Sequence, residues 1–213
     1  MLTKCQKNRF LRDYNMEFSP ERNIESPPEK ILEIGAGFRP IVDYLKKSGV
    51  NMGFSVISDM SAKAMLKENN LNDSEKVPRV IAKAYNLPFR DGEFKYILAR
   101  NFFGNSGMEV GKVQGNSQPS PLHGIFPELA KEHLKKLFSE LARVLSLHGE
   151  IVIMDSYTPD VAKRLFIEYA DTYEDLFTLS QEPEFLSNDD VMKAMDMLPV
   201  PGEMYALRKK TTI

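Results

Sequence analysis

The chain has 213 residues, 42% of them hydrophobic and 27% charged, and its 28 Lys and Arg against 30 Asp and Glu leave a formal net charge of -2. That length and balance suit one globular unit with a sizeable core, exclude a disordered polyelectrolyte or a fibrous repeat, and argue against a nucleic-acid partner. Cys5 is the single cysteine, so neither an internal disulfide nor a zinc site built on paired thiolates can form, and a reducing, cytoplasmic setting with no bound metal is expected.

Residues 1–28 are polar, carry Phe10, Leu11, Tyr14, Met16 and Phe18, and are expected to form an extension or cap on a main domain of residues 29–213. Lys4, Lys7, Arg9 and Arg12 read there as a solvated terminus, and without an apolar stretch among them no export signal is expected. No apolar run approaches the roughly 20 residues that span a bilayer, so no membrane partner is expected either.

Ile31-Leu32-Glu33-Ile34 is an apolar run with one carboxylate, closed by Gly35-Ala36-Gly37. It reads as a buried strand delivering a loop whose glycines, lacking Cβ, let a nucleoside lie close to the backbone. A dinucleotide fingerprint would need a third glycine where Pro40 stands, and a P-loop would need Gly-Lys-Ser/Thr, so neither pattern fits. Pro40 suits the first position of a helix in which Ile41, Tyr44 and Leu45 recur until Gly49.

Gly53 to Ser58 predicts a second strand ending at Asp59, after which Ser61 can cap a short helix bearing Ala62, Met65 and Leu66. Residues 69–76 form a polar loop, Val80 to Ala82 a third strand and Tyr96 to Arg100 a fourth. The segment from Gly104 to Gly124, rich in Gly, Ser, Asn and Pro, is either a lid or a disordered loop. Phe126, Leu129, Ala130, Leu134, Leu137, Phe138, Leu141 and Leu145 then form one helical stripe opposed by Glu132, Lys135, Lys136 and Glu140, which makes the stripe core.

Ile151 to Met154 gives a fifth strand ending at Asp155, and Thr158-Pro159 opens a helix through Val161, Leu165, Phe166 and Tyr169. Ser187 can cap a helix through Val191 and Met195. After a turn at 199–202, Glu203 to Lys210 reads as a strand expected to pair antiparallel at the sheet edge. The alternation predicts an α/β fold: a Rossmann-like, doubly wound, mostly parallel sheet with an antiparallel C-terminal edge strand, binding its ligand beyond the carboxyl ends of the strands.

Four strings, Glu33-Ile34-Gly35-Ala36-Gly37, Asp59-Met60-Ser61 with Ala64-Met65-Leu66, Leu87-Pro88-Phe89-Arg90-Asp91-Gly92-Glu93-Phe94, and Leu141-Ala142-Arg143-Val144-Leu145, stand in an order and spacing that resemble the class I S-adenosylmethionine-dependent methyltransferases. The resemblance covers residues 29 to 156 and is nearest to the branch that methylates small metabolites. It implies S-adenosylmethionine as cofactor, with Gly35, Ala36 and Gly37 against its amino acid part and Asp59 on the ribose hydroxyls. Glu33 organises the loop, meets the cofactor's amino group through water, or is a buried structural carboxylate. Met60 and the backbone at Ala84 and Tyr85 are left to hold the base, and Asn101 and Phe102 fall where cofactor and substrate meet.

Lys83 departs from the pattern, because members often carry there an acceptor for the adenine amino group and an ammonium has donors only. Lys95 and His148-Gly149 depart as well, standing for a common aspartate and a Pro-Gly-Gly turn. No catalytic residue is fixed by the resemblance. His123 and Asp155 are candidate bases with Tyr157 as an orienting group, against readings of His123 as a surface residue and Asp155 as structural. The expected function is methylation of a small-molecule acceptor at oxygen, nitrogen or carbon. The alternative is a protein of this fold that has lost turnover and binds or regulates; methylation of RNA or protein is less favoured.

Overall fold

The first strand, β1 (Lys30–Ile34), buries both of its sides: Leu32 and Ile34 enter one apolar cluster, and Ile31 enters another on the opposite face. Successive side chains alternate across a strand, so a strand buried this way must be central in a layered structure. The computed structural model describes residues 29–37, 40–63, 77–100, 102–103, 127–154, 164–195 and 204–211. The strands that follow are β2 (Phe54–Asp59), β3 (Arg79–Ile81), β4 (Phe94–Arg100), β5 (Leu145–Met154), β6 (Phe177–Ser180) and β7 (Met204–Lys209).

They form one seven-stranded sheet in the order β3-β2-β1-β4-β5-β7-β6. The pairs β1·β2, β1·β4, β2·β3 and β4·β5 are parallel, whereas β7 runs antiparallel to both β5 and β6. Strand order reverses between β1 and β4, and a crevice opens above such a switch point. The α/β, mostly parallel fold class thus stands.

The helices are α1 (Ile41–Lys47), α2 (Pro127–Val144) and α3 (Asn188–Met195). Leu134, Leu137, Phe138 and Leu141 of α2 pack with Leu32, Ile34, Ile97 and Ala99, and Ile41, Val42 and Leu45 of α1 join Val191 and Ala194 of α3 against Ile31, Ile57, Leu98 and Val152. Each such large buried side chain contributes roughly 1.5–3 kcal/mol, so the stripe from Leu134 to Leu141 is core, as its spacing predicts, whereas Leu145, expected to close the stripe, instead opens β5.

The fifth strand, expected over Ile151 to Met154, starts at Leu145, and two further elements differ from expectation. The C-terminal strand β7 pairs antiparallel as predicted but lies one place in from the edge, because β6 covers it. Only four residues long, Phe177-Thr178-Leu179-Ser180 alternates apolar and polar too briefly to stand out in sequence. The helix expected beyond Thr158 is, over its described part, a π-helical turn at Arg164–Glu168 followed by a 3-10 turn at Ala170–Thr172. There the Thr172 hydroxyl donates to the Tyr169 carbonyl at 2.6 Å, and Tyr169 and Tyr173 are buried. The N-terminal extension and the 104–124 segment lie outside the described residues.

The sequence departures at Lys95 and His148 answer each other. His148 has a left-handed backbone (φ 59), and its carbonyl accepts from Lys95 Nζ at 3.0 Å, beside the irregularity in the β4·β5 register. They belong to the pairing of β4 with β5, at the end of the sheet away from the crevice.

Arg143, at the end of α2, organises the strand-connecting segment that follows β3. Its Nη1 donates to the Phe89 carbonyl at 2.8 Å and to Asp91 at 2.7 Å, its Nη2 to the Leu87 carbonyl at 3.0 Å, and its Nε and Nη2 hold Glu140. Glu140 in turn accepts from the Leu87 N–H at 2.6 Å, and the guanidinium pulls its carboxyl below the usual carboxylate range. Two of the recognisable strings, 87–94 and 141–145, are therefore coupled by one planar fork that lysine could not reproduce. Replacing Arg143 by Ala is expected to lower stability by about 2–3 kcal/mol, since it strands hydrogen-bond partners of a charged group; a urea midpoint equal to that of the wild type would show the fork to be idle.

Candidate functional site

Beyond β1 the backbone turns left-handed at Gly35 (φ 60) and again at Gly37 (φ 59), a conformation that costs a residue with Cβ roughly 1–2 kcal/mol. The loop is tied to the end of β2. The Gly37 N–H donates to Asp59 Oδ2 at 2.9 Å, and the Ser61 N–H donates to Oδ1 at 2.7 Å. A carboxylate offers about four lone-pair sites, so Asp59, which is partly exposed, can still accept from donors on a ligand. A Cβ built on Gly37 would meet none of the described residues within 4 Å, so among them the space over the loop is open there.

Glu33 is differently employed. It is fully buried, and its two oxygens accept from the Ile41 N–H at 2.8 Å and the Val42 N–H at 3.0 Å, the first donors of α1. Pro40, just before them, has no N–H to offer, so Glu33 supplies from the strand the acceptor that a capping side chain would normally give. Burial pushes its carboxyl up to about 7, outweighing the two N–H donors and the nearby Arg100 cation, which pull the other way. The hydrogen bonds of Glu33 go to the start of α1, the contact a buried structural carboxyl makes.

At the carboxyl ends of β2 and β3, three large apolar side chains face solvent: Met60 (40% exposed), Ile81 (55%) and Tyr85 (40%). Ile81 stands opposite Asp59 in the parallel register, and the Ala82 N–H donates to the Asp59 carbonyl at 3.0 Å. Lys83 Nζ lies over the Tyr85 ring at 5.6 Å, and that ring meets His133 of α2 edge-on at 6.3 Å. Ala84 packs toward the core, and Ala36 is buried in the cluster beneath α1. Phe102 is buried against Gly35.

The fold therefore brings Gly35, Gly37, Asp59, Met60 and Phe102 to one end of the sheet, with Tyr85 beside them on the β3 side. Ile81, which sequence reasoning passed over, joins them; its signal was an apolar residue at a strand end next to the acidic strand end. Asn101, His123, Asp155 and Tyr157 lie outside the described residues. Among the described residues no group of His, Cys, Asp or Glu is arranged to hold a metal ion, and no helix is long and apolar enough to cross a membrane.

No protein-family model matches the chain, and no curated protein matches it in sequence. Solved structures do match it. A chain from the complex between the Trm112 methyltransferase activator of Haloferax volcanii and a candidate methyltransferase is 12% identical, with a TM-score of 0.50 over 90% of this chain and 86% of that one. Geranyl diphosphate C-methyltransferase from Streptomyces coelicolor A3(2), solved with S-adenosyl-L-homocysteine, is 14% identical at a TM-score of 0.48, covering 98% and 77%. A methyltransferase from Aquifex aeolicus, described as dependent on S-adenosylmethionine, is 14% identical at 0.47, covering 95% and 87%. This is the class I methyltransferase fold. At such identities the likeness concerns architecture, and the loop, Asp59 and the exposed apolar residues stand at the carboxyl end of its sheet.

The Glu33 carboxyl gives the methyltransferase-like core a pH signature. Because its folded value (about 7) is raised above the ordinary 4.5, the folded state holds the proton more tightly than the unfolded chain. Its contribution is greatest below about 4.5 and declines as pH rises to about 7, then levels. The difference in unfolding free energy between wild type and Glu33→Gln, measured by denaturant titration at several pH values, should carry that slope. A difference independent of pH would assign Glu33 an ordinary acidity.

Proposed function

We propose that this chain is a methyltransferase that uses S-adenosylmethionine to methylate a small-molecule acceptor. The observation that carries the reading is the Asp59 carboxylate, fixed at the end of β2 by the Gly37 N–H with acceptor capacity to spare and open space over Gly37. These residues fit the cofactor. Two vicinal ribose hydroxyls can donate to Asp59, Met60 and Ile81 can flank the base, and Gly37 leaves room for the amino acid part. When bound, the cofactor supplies an electrophilic methyl group on a sulfonium.

Transfer from such a centre is an in-line displacement, so alignment and exclusion of water supply much of the acceleration. Asn101, next in the chain after β4, is a candidate to meet the acceptor. His123 and Asp155 are the candidates for taking the acceptor's proton and Tyr157 for orienting it, on their places in the chain. The 104–124 segment and residues 1–28 are the candidate covers. A formal charge of -2 leaves no general attraction for nucleic acid, which favours a small acceptor, and the one cysteine suits a cytoplasmic setting.

A second reading, binding without turnover, rests on Lys83, whose ammonium sits over Tyr85 at the base end and cannot accept from an adenine amino group. Calorimetric titration with S-adenosylmethionine and S-adenosylhomocysteine separates the two readings when paired with methyl transfer to metabolite mixtures. Wild type should bind both ligands, and Asp59→Ala should weaken binding by about 1–3 kcal/mol. No heat and no thermal shift at millimolar ligand would sink the enzyme reading, whereas binding without transfer would favour the second.

A further inference from the structure

The two loop glycines share a left-handed backbone but differ in what lies over them. A Cβ on Gly37 would enter open space, whereas one on Gly35 would come 3.0 Å from Phe102 Cε2 and closer still to Cδ2. The face of Gly35 is occupied by protein, and only that of Gly37 opens outward. The two positions are glycine for different reasons.

The ring over Gly35 is itself held. Phe102 meets Phe103 edge-on at 5.2 Å and 90°, Phe103 stacks on Phe138 of α2 at 5.8 Å and 16°, and Phe138 contacts Tyr173 and, on β6, Phe177. An aromatic column thus runs from the far strand of the sheet to the glycine loop. Phe102 and Phe103 are both buried, so the ring cannot move off Gly35 without opening packed core. A loop of Gly-Ala-Gly has little side chain of its own to limit its backbone. The ring supplies that limit from outside.

We propose that Phe102 is a positioning residue: its ring, seated on Gly35 as in a socket, holds the loop where the Gly37 N–H reaches Asp59 and the face of Gly37 stays open to the nucleoside ligand. The consequence for ligand binding rests on the methyltransferase reading. The positioning itself does not. Phe102 acts through Gly35 and Gly37, and the ligand passes over Gly37, not Gly35.

The test compares wild type, Gly35→Ala, Phe102→Ala, Phe102→Leu and the double variant Gly35→Ala/Phe102→Ala. Three quantities are read: melting temperature, hydrogen exchange at the Gly37 amide, and calorimetric affinity for S-adenosylhomocysteine. Removing the ring should speed exchange at Gly37 and weaken the ligand, each ~10-fold, as a locally loosened hydrogen bond predicts. Leu, which refills the socket in part, should fall between; it also carries the test if Phe102→Ala does not fold.

Gly35→Ala and Phe102→Ala should each lower the melting temperature, and the double variant should lose less than the sum of the two single losses, because the new methyl then has room. Wild-type exchange at Gly37 in both Phe102 variants, or losses in the double variant that equal or exceed the sum of the single ones, overturns the proposal. If wild type binds no S-adenosylhomocysteine while the Gly37 amide still responds to Phe102, the methyltransferase reading falls and the positioning role stands.

Discussion

A fully buried carboxyl in the first strand holds the start of the helix that follows, and the glycine loop lies between these two fixed points. Glu33 projects from the middle of the sheet into the layer beneath α1 and meets the first two N–H groups of that helix. An unpaired buried charge would be prohibitive, and an uncapped helix start would leave donors without partners. Each defect answers the other. The geometry also sets the loop length, because the chain must leave β1, cross its carboxyl end and return as α1 within reach of one glutamate side chain. The crossing segment is the glycine loop.

From that anchor the site is assembled by backbone groups more than by side chains. Asp59 binds the loop through the Gly37 N–H and its own turn through the Ser61 N–H, while its carbonyl takes the Ala82 N–H from the edge strand. One residue thereby ties together the ends of β1, β2 and β3. A ligand reaching Asp59 would enter a network that is already formed, which reduces the ordering needed on binding.

The strings that make the chain recognisable do not all serve a ligand. Arg143, Glu140, Leu87 and Asp91 form a clamp between α2 and the approach to β4, and Lys95 holds the carbonyl of a left-handed His148. Lys95, which in sequence stands out as a departure from the family pattern, is in space part of the β4·β5 pairing and donates to the His148 carbonyl. Lys83 lies just beyond β3, over Tyr85. The two lysines look equivalent in a string and are not equivalent in the fold.

The sequence by itself determined the alternation of strands and helices, the α2 stripe, the glycine loop and the acidic strand end, because each is a local pattern of period, turn chemistry or strand termination. The antiparallel sense expected for β7 also stands. Only the tertiary structure decided that β6 takes the edge, because a four-residue strand is defined by its partner and not by its own alternation. Only the tertiary structure separated Gly35 from Gly37 and joined Phe102 to the first and Asp59 to the second. Those assignments depend on which atoms meet across the ends of three strands, and spacing along a chain carries no record of such meetings.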